Sequence, residues 1–310
     1  MEATAPIGRR YIAVGLVTKL IEQWQEIGVF PLGLANYLGQ AFGAMVHLIP
    51  LPKQQIENVL VELRAVARQL ASGKKAMVIR NGFFSYRWSQ IFEMGRIPAG
   101  ETVLKAQRQA DGAFAPVPLD QAVERIRAER PDVVFAPHVE TASGMILPDA
   151  YLRGIADAVH AHGGLFVLDC IASGCVWVDM QASGVDVLLS APQKGWSSQP
   201  CAGLVMLNEA ALERVRSCQS SSFALDLGKW LTIMEAYLNG GHAYHATMPT
   251  DALRAFHRAM QDTRSAGFET LRAAQWEQGN AVRAMLAARG VRSVAADGFA
   301  APGVVFPAAS

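Results

Sequence analysis

The 310-residue sequence has little cysteine, no excess of charge of either sign and no long apolar run. Its four cysteines, Cys170, Cys175, Cys201 and Cys218, form no CxxC pair and no zinc-ligand spacing. They read as the reduced, mostly buried thiols of a cytosolic protein. Lysine plus arginine (28) nearly equals aspartate plus glutamate (27), so no acidic polymer is implied as a partner. A basic stripe with interleaved aromatics is absent, which argues against nucleic-acid binding. No window approaches the roughly 18 uninterrupted apolar residues of a membrane span. The opening Met-Glu-Ala-Thr-Ala-Pro lacks the basic region and apolar core of a signal peptide, so a soluble, cytoplasmic protein with no membrane partner is expected. No Gly-x-Gly-x-x-Gly follows a predicted strand, which counts against a dinucleotide-binding oxidoreductase. Internal repeats and low-complexity segments are also missing.

What is present is an alternation. Helical spacing over residues 61–70 stops at Ser72-Gly73 and gives way to an apolar run at 76–79. Asn81-Gly82 marks a turn, and residues 84–94 resume helical spacing. The same pattern continues with a helix over 120–129, a strand over 132–136, a helix over 148–161, and strands over 165–168, 185–189 and 203–207. Short apolar runs between amphipathic helices predict an α/β fold with a mainly parallel sheet covered by helices on both faces. Residues 251–289 read as one long helical stretch ending at Gly290, and residues 293–305 as the start of a further strand. Residues 1–60, with helix-compatible pieces at 16–27 and from Gln54 and a break at Ile49-Pro50-Leu51-Pro52, do not fit the alternation. The division expected is an unassigned segment over 1–60, a large domain over 61–265, and a helix plus the beginning of a small domain over 266–310.

Open α/β sheets bind ligands at the carboxyl ends of their strands. Two residues there carry chemistry. The run 164–168 delivers Asp169, and the run 185–189 is followed by Ser190-Ala191-Pro192-Gln193-Lys194-Gly195-Trp196. A lysine amine condenses with an aldehyde, and an aspartate keeps a ring nitrogen protonated. The pairing points to a pyridoxal phosphate enzyme. The blander readings are a surface lysine in a loop and an aspartate capping a helix.

Five motifs in order extend this: Asn81-Gly82-Phe83-Phe84, His138-Val139-Glu140-Thr141-Ala142-Ser143-Gly144, Asp169-Cys170-Ile171-Ala172-Ser173, Ser190-Ala191-Pro192-Gln193-Lys194 and Tyr244-His245-Ala246-Thr247. From about residue 62 to about residue 303 the chain resembles the class V aminotransferases of the fold-type I pyridoxal phosphate enzymes, the group containing alanine–glyoxylate and serine–glyoxylate aminotransferases. The resemblance implies pyridoxal 5′-phosphate as cofactor and a small amino acid with a 2-oxo acid, such as glyoxylate or pyruvate, as substrates. It makes Lys194 the catalytic lysine and Asp169 the partner of the ring nitrogen. Phe84 matches the aromatic ring stacked on the cofactor, Thr141 a hydroxyl near the ring oxygen, and Gln193 a phosphate contact. Tyr244 and Thr247 match a pair that reaches the phosphate from a neighbouring subunit, implying a homodimer with a composite site. From the residues alone, Phe83, Phe84, Tyr86 and Trp88 read as core. Thr141 reads equally as a turn cap, and Tyr244 and Thr247 as a packed tyrosine and a turn threonine. Cys170 with His138 admits a nucleophilic dyad, but a structural thiol and a turn histidine fit the sequence better.

The resemblance also has gaps. A Gly-Ser-Gly-Thr-type phosphate loop belongs before the first helix, where this chain reads Glu57-Asn58-Val59-Leu60-Val61-Glu62-Leu63, without glycine and with two acidic groups. The arginine that holds the substrate carboxylate belongs to a small C-terminal domain, expected here to be incomplete, and nothing marks Arg292 as that clamp. The expectation for both ends is alteration by frameshift or truncation around a preserved middle. Beside the aminotransferase reading stand a lyase on the same scaffold and a noncatalytic homologue.

Overall fold

Apolar strands without alternation need cover on both faces, and the computed structural model, which describes residues 61–308, supplies it. The expectations for residues 1–60 lie outside the described residues. The order is α1 (Val61–Leu70), β1 (Lys75–Arg80), α2 (Phe83–Gly95), β2 (Gly100–Lys105), β3 (Gln107–Arg108), β4 (Phe114–Ala115), α3 (Leu119–Glu129) and β5 (Val133–Pro137). There follow β6 (Val139–Glu140), β7 (Met145–Ile146), α4 (Asp149–His160), β8 (Leu165–Asp169), α5 (Met180–Ser183), β9 (Val187–Ser190) and β10 (Leu204–Leu207). The last helices are α6 (Glu209–Ser217), α7 (Leu227–Leu238), α8 (Thr250–Ala266) and α9 (Phe268–Ala287).

Six strands form one sheet in the order β10-β9-β8-β5-β1-β2. All neighbours are parallel except β10, which pairs antiparallel with β9. Successive side chains leave opposite faces. Met77, Val134, Phe166 and Leu188 meet Ile126 of α3, Leu152 of α4 and Phe256 of α8 on one side. Val78, Phe135, Val167 and Leu189 meet Leu63 of α1, Trp88 of α2, Leu212 of α6 and Trp230 of α7 on the other. Each such side chain contributes about 1.5–3 kcal/mol by leaving water, which holds the strand ends in fixed register. The mainly parallel α/β fold is as the sequence implied.

The short elements β3, β4, β6, β7 and α5 and the helices α6 and α7 add to the sequence expectation, and three further differences stand out. The stretch 251–289 is two helices, broken at Gly267, whose φ of 89° lies in the region that favours glycine and whose N–H closes α8 on the carbonyls of Thr263 and Arg264. Strand β2 is new. It is the edge of the sheet, mostly exposed, and so carries no apolar run to read. Residues 293–305 form no strand of their own; isolated bridges join Ala295 to Phe114 of β4 and Ala300 to Met145 of β7, and the Ala301 N–H donates to Gly144 O at 2.8 Å. The four cysteines are free thiols. Among the described residues no helix is long and apolar enough to cross a membrane, and no cluster of three or more His, Cys, Asp or Glu suits a metal ion.

Candidate functional site

Four adjacent strands, β1, β5, β8 and β9, deliver the sequence-derived residues to the same edge of the sheet. Strand β1 runs through Asn81-Gly82 into α2, which carries Phe84 in its first turn. Strand β5 leads to His138 and the β6–β7 hairpin, with Thr141 in its turn. Strand β8 ends on Asp169, and β9 leads into the turn that carries Lys194. Register ties them closely: Asp169 stands beside Pro137 on one side and Leu189 on the other.

Asp169 is partly accessible. Its Oδ1 accepts the N–H of Ile171 at 3.0 Å, and its other oxygen has no hydrogen-bond partner among the described residues. Burial pushes its pKa up to about 7; the Ile171 N–H opposes the rise, the charge of Glu140 adds to it, and Arg87 again opposes it. The backbone N–H of His138 donates to the backbone carbonyl of Asp169 at 2.8 Å, and the His138 Nδ1 lies 2.7 Å from Ser173 Oγ. Burial, helped by the charge of Arg272, holds His138 down at about 3, so the ring is neutral. Cys170 is buried, and burial lifts its thiol well above the ordinary range. A neutral histidine engaged with a serine and a protonated thiol are structural parts, not a nucleophilic dyad.

Lys194 is exposed, and its side chain makes no hydrogen bond or ion pair among the described residues. Its backbone, by contrast, is fixed. Gly195 lies against Gly174, in the loop that follows Asp169, where a Cβ would stand 2.2 Å from the Gly174 carbonyl oxygen. Trp196 is buried, its ring 4.9 Å from Trp177 and 5.9 Å from Phe256. The turn bearing the lysine is thus pinned to the loop bearing the aspartate. Gln193 Oε1 and Ser198 Oγ in this loop are buried without hydrogen-bond partners, as are Asn81 Oδ1 after β1 and Ser143 Oγ in the β6–β7 turn. Unpartnered buried polar atoms are uncommon in proteins, and these four stand on the loops that leave the carboxyl ends of β1, β5 and β9.

The aromatic cluster corrects the reading of these rings as core. Trp88 is fully buried, 4.5 Å from the ring of Phe135. Phe83, Phe84 and Tyr86 are exposed, Phe84 to 37%. The guanidinium of Arg87 covers the Phe84 ring at 4.5 Å. Periodicity did not separate them because helix α2 turns its first residues away from the sheet. The Thr141 hydroxyl is partly exposed and has no partner among the described residues.

Glu140 was not singled out from the sequence, yet it is fully buried. Its carboxylate accepts the N–H groups of Phe84 (3.1 Å), Ser85 (2.8 Å) and Ala142 (3.0 Å) and the Ser85 hydroxyl (2.6 Å). The only sequence signal was an acidic residue inside the motif that carries Thr141.

Tyr244 and Thr247 lie on the segment between α7 and α8. Both are exposed, and their side chains pair with each other at 3.0 Å. Among the described residues no hydrogen bond or ring contact joins them to Asp169 or Lys194. Arg292 donates to the backbone carbonyl of Asp111 at 2.9 Å. The phosphate-loop position at 57–60 lies outside the described residues. Glu62, in the first turn of α1, is buried beside Gly203, where a Cβ would stand 2.8 Å from its carboxyl oxygen. Burial raises its pKa to about 8, a hydrogen bond with its own backbone opposes the rise and Asp169 adds to it, so at neutral pH this carboxyl is protonated and lacks the negative charge the sequence implied.

With this geometry in view, known proteins bear directly on the chain. The family model described as "Aminotransferase class-V" matches residues 58–297. The 2-aminoethylphosphonate–pyruvate transaminase of Vibrio vulnificus is 28% identical over 208 residues, covering 65% of this chain and 52% of that protein. The L-aspartate–glyoxylate aminotransferase of Paracoccus denitrificans is 26% identical, over 74% of this chain and 55% of its own length. The chain therefore spans about half the length of these curated relatives. Among solved structures, pyridoxamine–pyruvate aminotransferase from Mesorhizobium loti superposes with a TM-score of 0.72 at 18% identity, over 95% of this chain and 70% of that one, which establishes a shared fold. The chain belongs to the class-V aminotransferase family.

Proposed function

We propose that the chain acts as a pyridoxal 5′-phosphate-dependent aminotransferase, moving an amino group between a small amino acid and a 2-oxo acid such as glyoxylate or pyruvate. The observation that carries this reading is the packing of Gly195 on Gly174, which couples the Lys194 turn to the loop following Asp169. Relatives named for pyruvate and glyoxylate support the choice of acceptor.

The described residues fit the ring end of that cofactor. A carboxyl with one unpaired oxygen stands at a strand end, an exposed aromatic ring leads the neighbouring helix, and unpartnered buried atoms of Gln193 and Ser143 lie beside Lys194 and Thr141. When bound, the cofactor supplies an electron sink for the charge that develops at the substrate α-carbon. Lys194 Nζ would hold it and then carry the proton to and from that carbon, for which an exposed amine with no competing partner is suited. Asp169 would face the ring nitrogen with its unpaired oxygen; a cationic partner there favours the carboxylate and offsets the burial that raises its pKa. Phe84 would cover one face of the ring and Thr141 would orient its edge. Gln193 would contact the phosphate, with a protonated Glu62 adding no repulsion.

Tyr244 and Thr247 would complete the phosphate site of a second copy, making the working form a homodimer, for which we propose a cytoplasmic location; both side chains are exposed, and each hydroxyl keeps hydrogen-bonding capacity beyond their mutual bond. The test is transfer itself. With pyridoxal 5′-phosphate, a panel of small amino acids and either pyruvate or glyoxylate, the expected result is formation of alanine or glycine from one donor. Absence of product from every donor would remove the reading in favour of a noncatalytic homologue.

A further inference from the structure

Helix α2 starts without an N-cap side chain, although the Ser85 hydroxyl reaches back to accept the Gly82 and Asn81 N–H groups at 3.1 and 2.9 Å. Gly82 stands at its N-cap with no side chain, and its first turn holds no acidic residue. The leading N–H groups of a helix have no intrahelical acceptor, and burial makes leaving them unpaired costly. Their acceptor comes from 55 and 56 residues away in sequence: Glu140 Oε1 takes the Phe84 N–H and Oε2 the Ser85 N–H and hydroxyl. The same Oε1 also takes the Ala142 N–H across the β6–β7 turn. No cation pairs with Glu140 among the described residues, so the positive end of the helix and these four hydrogen bonds accommodate its charge. Gly82 is what lets it in, since a Cβ there would stand 2.8 Å from the Glu140 side chain.

We propose that Glu140 is a positioning residue of the site, clamping the arm that carries Phe84 to the turn that carries Thr141 and so fixing the width of the slot before Asp169. Its charge reaches Asp169 as well and works against ionisation of that carboxyl. The naming of the slot rests on the cofactor reading above. The clamp belongs to the cofactor-free chain, so its failure and the failure of that reading are separate results.

The test is E140Q, examined without cofactor. Phe84 and Ala142 N–H only donate, so the amide oxygen turns to them and the NH₂ faces Ser85; the Ser85 hydroxyl can turn its proton to Gly82 O, 3.2 Å away, but the Ser85 N–H loses its acceptor. Hydrogen exchange at the Ser85 amide should quicken about tenfold or more, with Val167 of β8 unchanged as a check on the fold. A purely structural clamp would stop there. The charge effect adds a lower titration midpoint for the Asp169 carboxyl, read by carbon NMR and assigned with D169N. Native exchange at Ser85, or an unmoved Asp169 midpoint, would overturn the corresponding half of the proposal. If E140Q does not fold, G82A displaces the same carboxylate. Exchange at Ser85 and Ala142 should then rise together although they lie on different arms, and a rise confined to one arm contradicts the clamp.

Discussion

Gly195 lies against the carbonyl of Gly174 so closely that no other residue fits at 195 without moving backbone. The two loops that present Lys194 and Asp169 therefore behave as one body. Gly195→Ala would force them apart, with a loss of about 1–3 kcal/mol in urea denaturation, the usual cost of overpacking against an unyielding neighbour. Cofactor capture at Lys194 should fall with it. A variant as stable as the parent and equally reactive would show that the contact fixes nothing.

The raised pKa of Asp169 makes a pH test with a definite sign. Unfolded, the carboxyl loses its proton near its ordinary value of 3.8; folded and cofactor-free, it does so at about 7. Between those values the folded chain holds the extra proton, so this group contributes stability at low pH that is lost as pH rises through about 7. Glu62, raised to about 8, acts in the same direction over a slightly higher window, while His138, lowered to about 3, costs stability as pH falls below 6.5. Comparing Asp169→Asn with the parent isolates the first group. Urea midpoints measured at about pH 4.5 and about pH 7.5 should converge on the variant's side, with the parent losing more stability across the window. Parallel pH profiles would contradict the placement of Asp169 in a poorly solvated strand end.

Much of this architecture was legible because β1, β5, β8 and β9 are buried on both faces and must be apolar throughout. That is why Asp169 stood out as a polar residue directly after an apolar run, and Lys194 as a lysine in the turn that follows another. Strand β2 escaped because an exposed edge imposes no such pattern, and the break at Gly267 because one glycine inside a long helical stretch is often tolerated. Glu140 escaped for a different reason. Its partners lie on the helix start at Phe84 and Ser85, a relation created only when β1 and β5 become neighbours in the sheet. The exposed state of Phe84 was likewise set by that helix start and not by periodicity.

The exposed pair Tyr244 and Thr247 bears on assembly. Replacing both by alanine should leave thermal stability nearly unchanged, since they contact mainly each other, but weaken pyridoxal 5′-phosphate binding by about tenfold or more, the loss expected for hydrogen bonds to a charged group. At limiting cofactor, mixing that variant with Lys194→Ala should raise transfer activity above the sum of the two alone, because a mixed dimer rebuilds one intact site. No recovery on mixing, with both variants dimeric, would mean that each subunit completes its own site.

Whether Lys194 holds the cofactor is read by peptide mapping after borohydride reduction in the presence of pyridoxal 5′-phosphate. A reduced cofactor adduct should be concentrated on the peptide bearing Lys194 and lost in Lys194→Ala, with the exposed Lys75 and Lys229 labelled far less. Labelling of Lys194 no greater than that of those surface lysines, or none at all at millimolar cofactor, would contradict it.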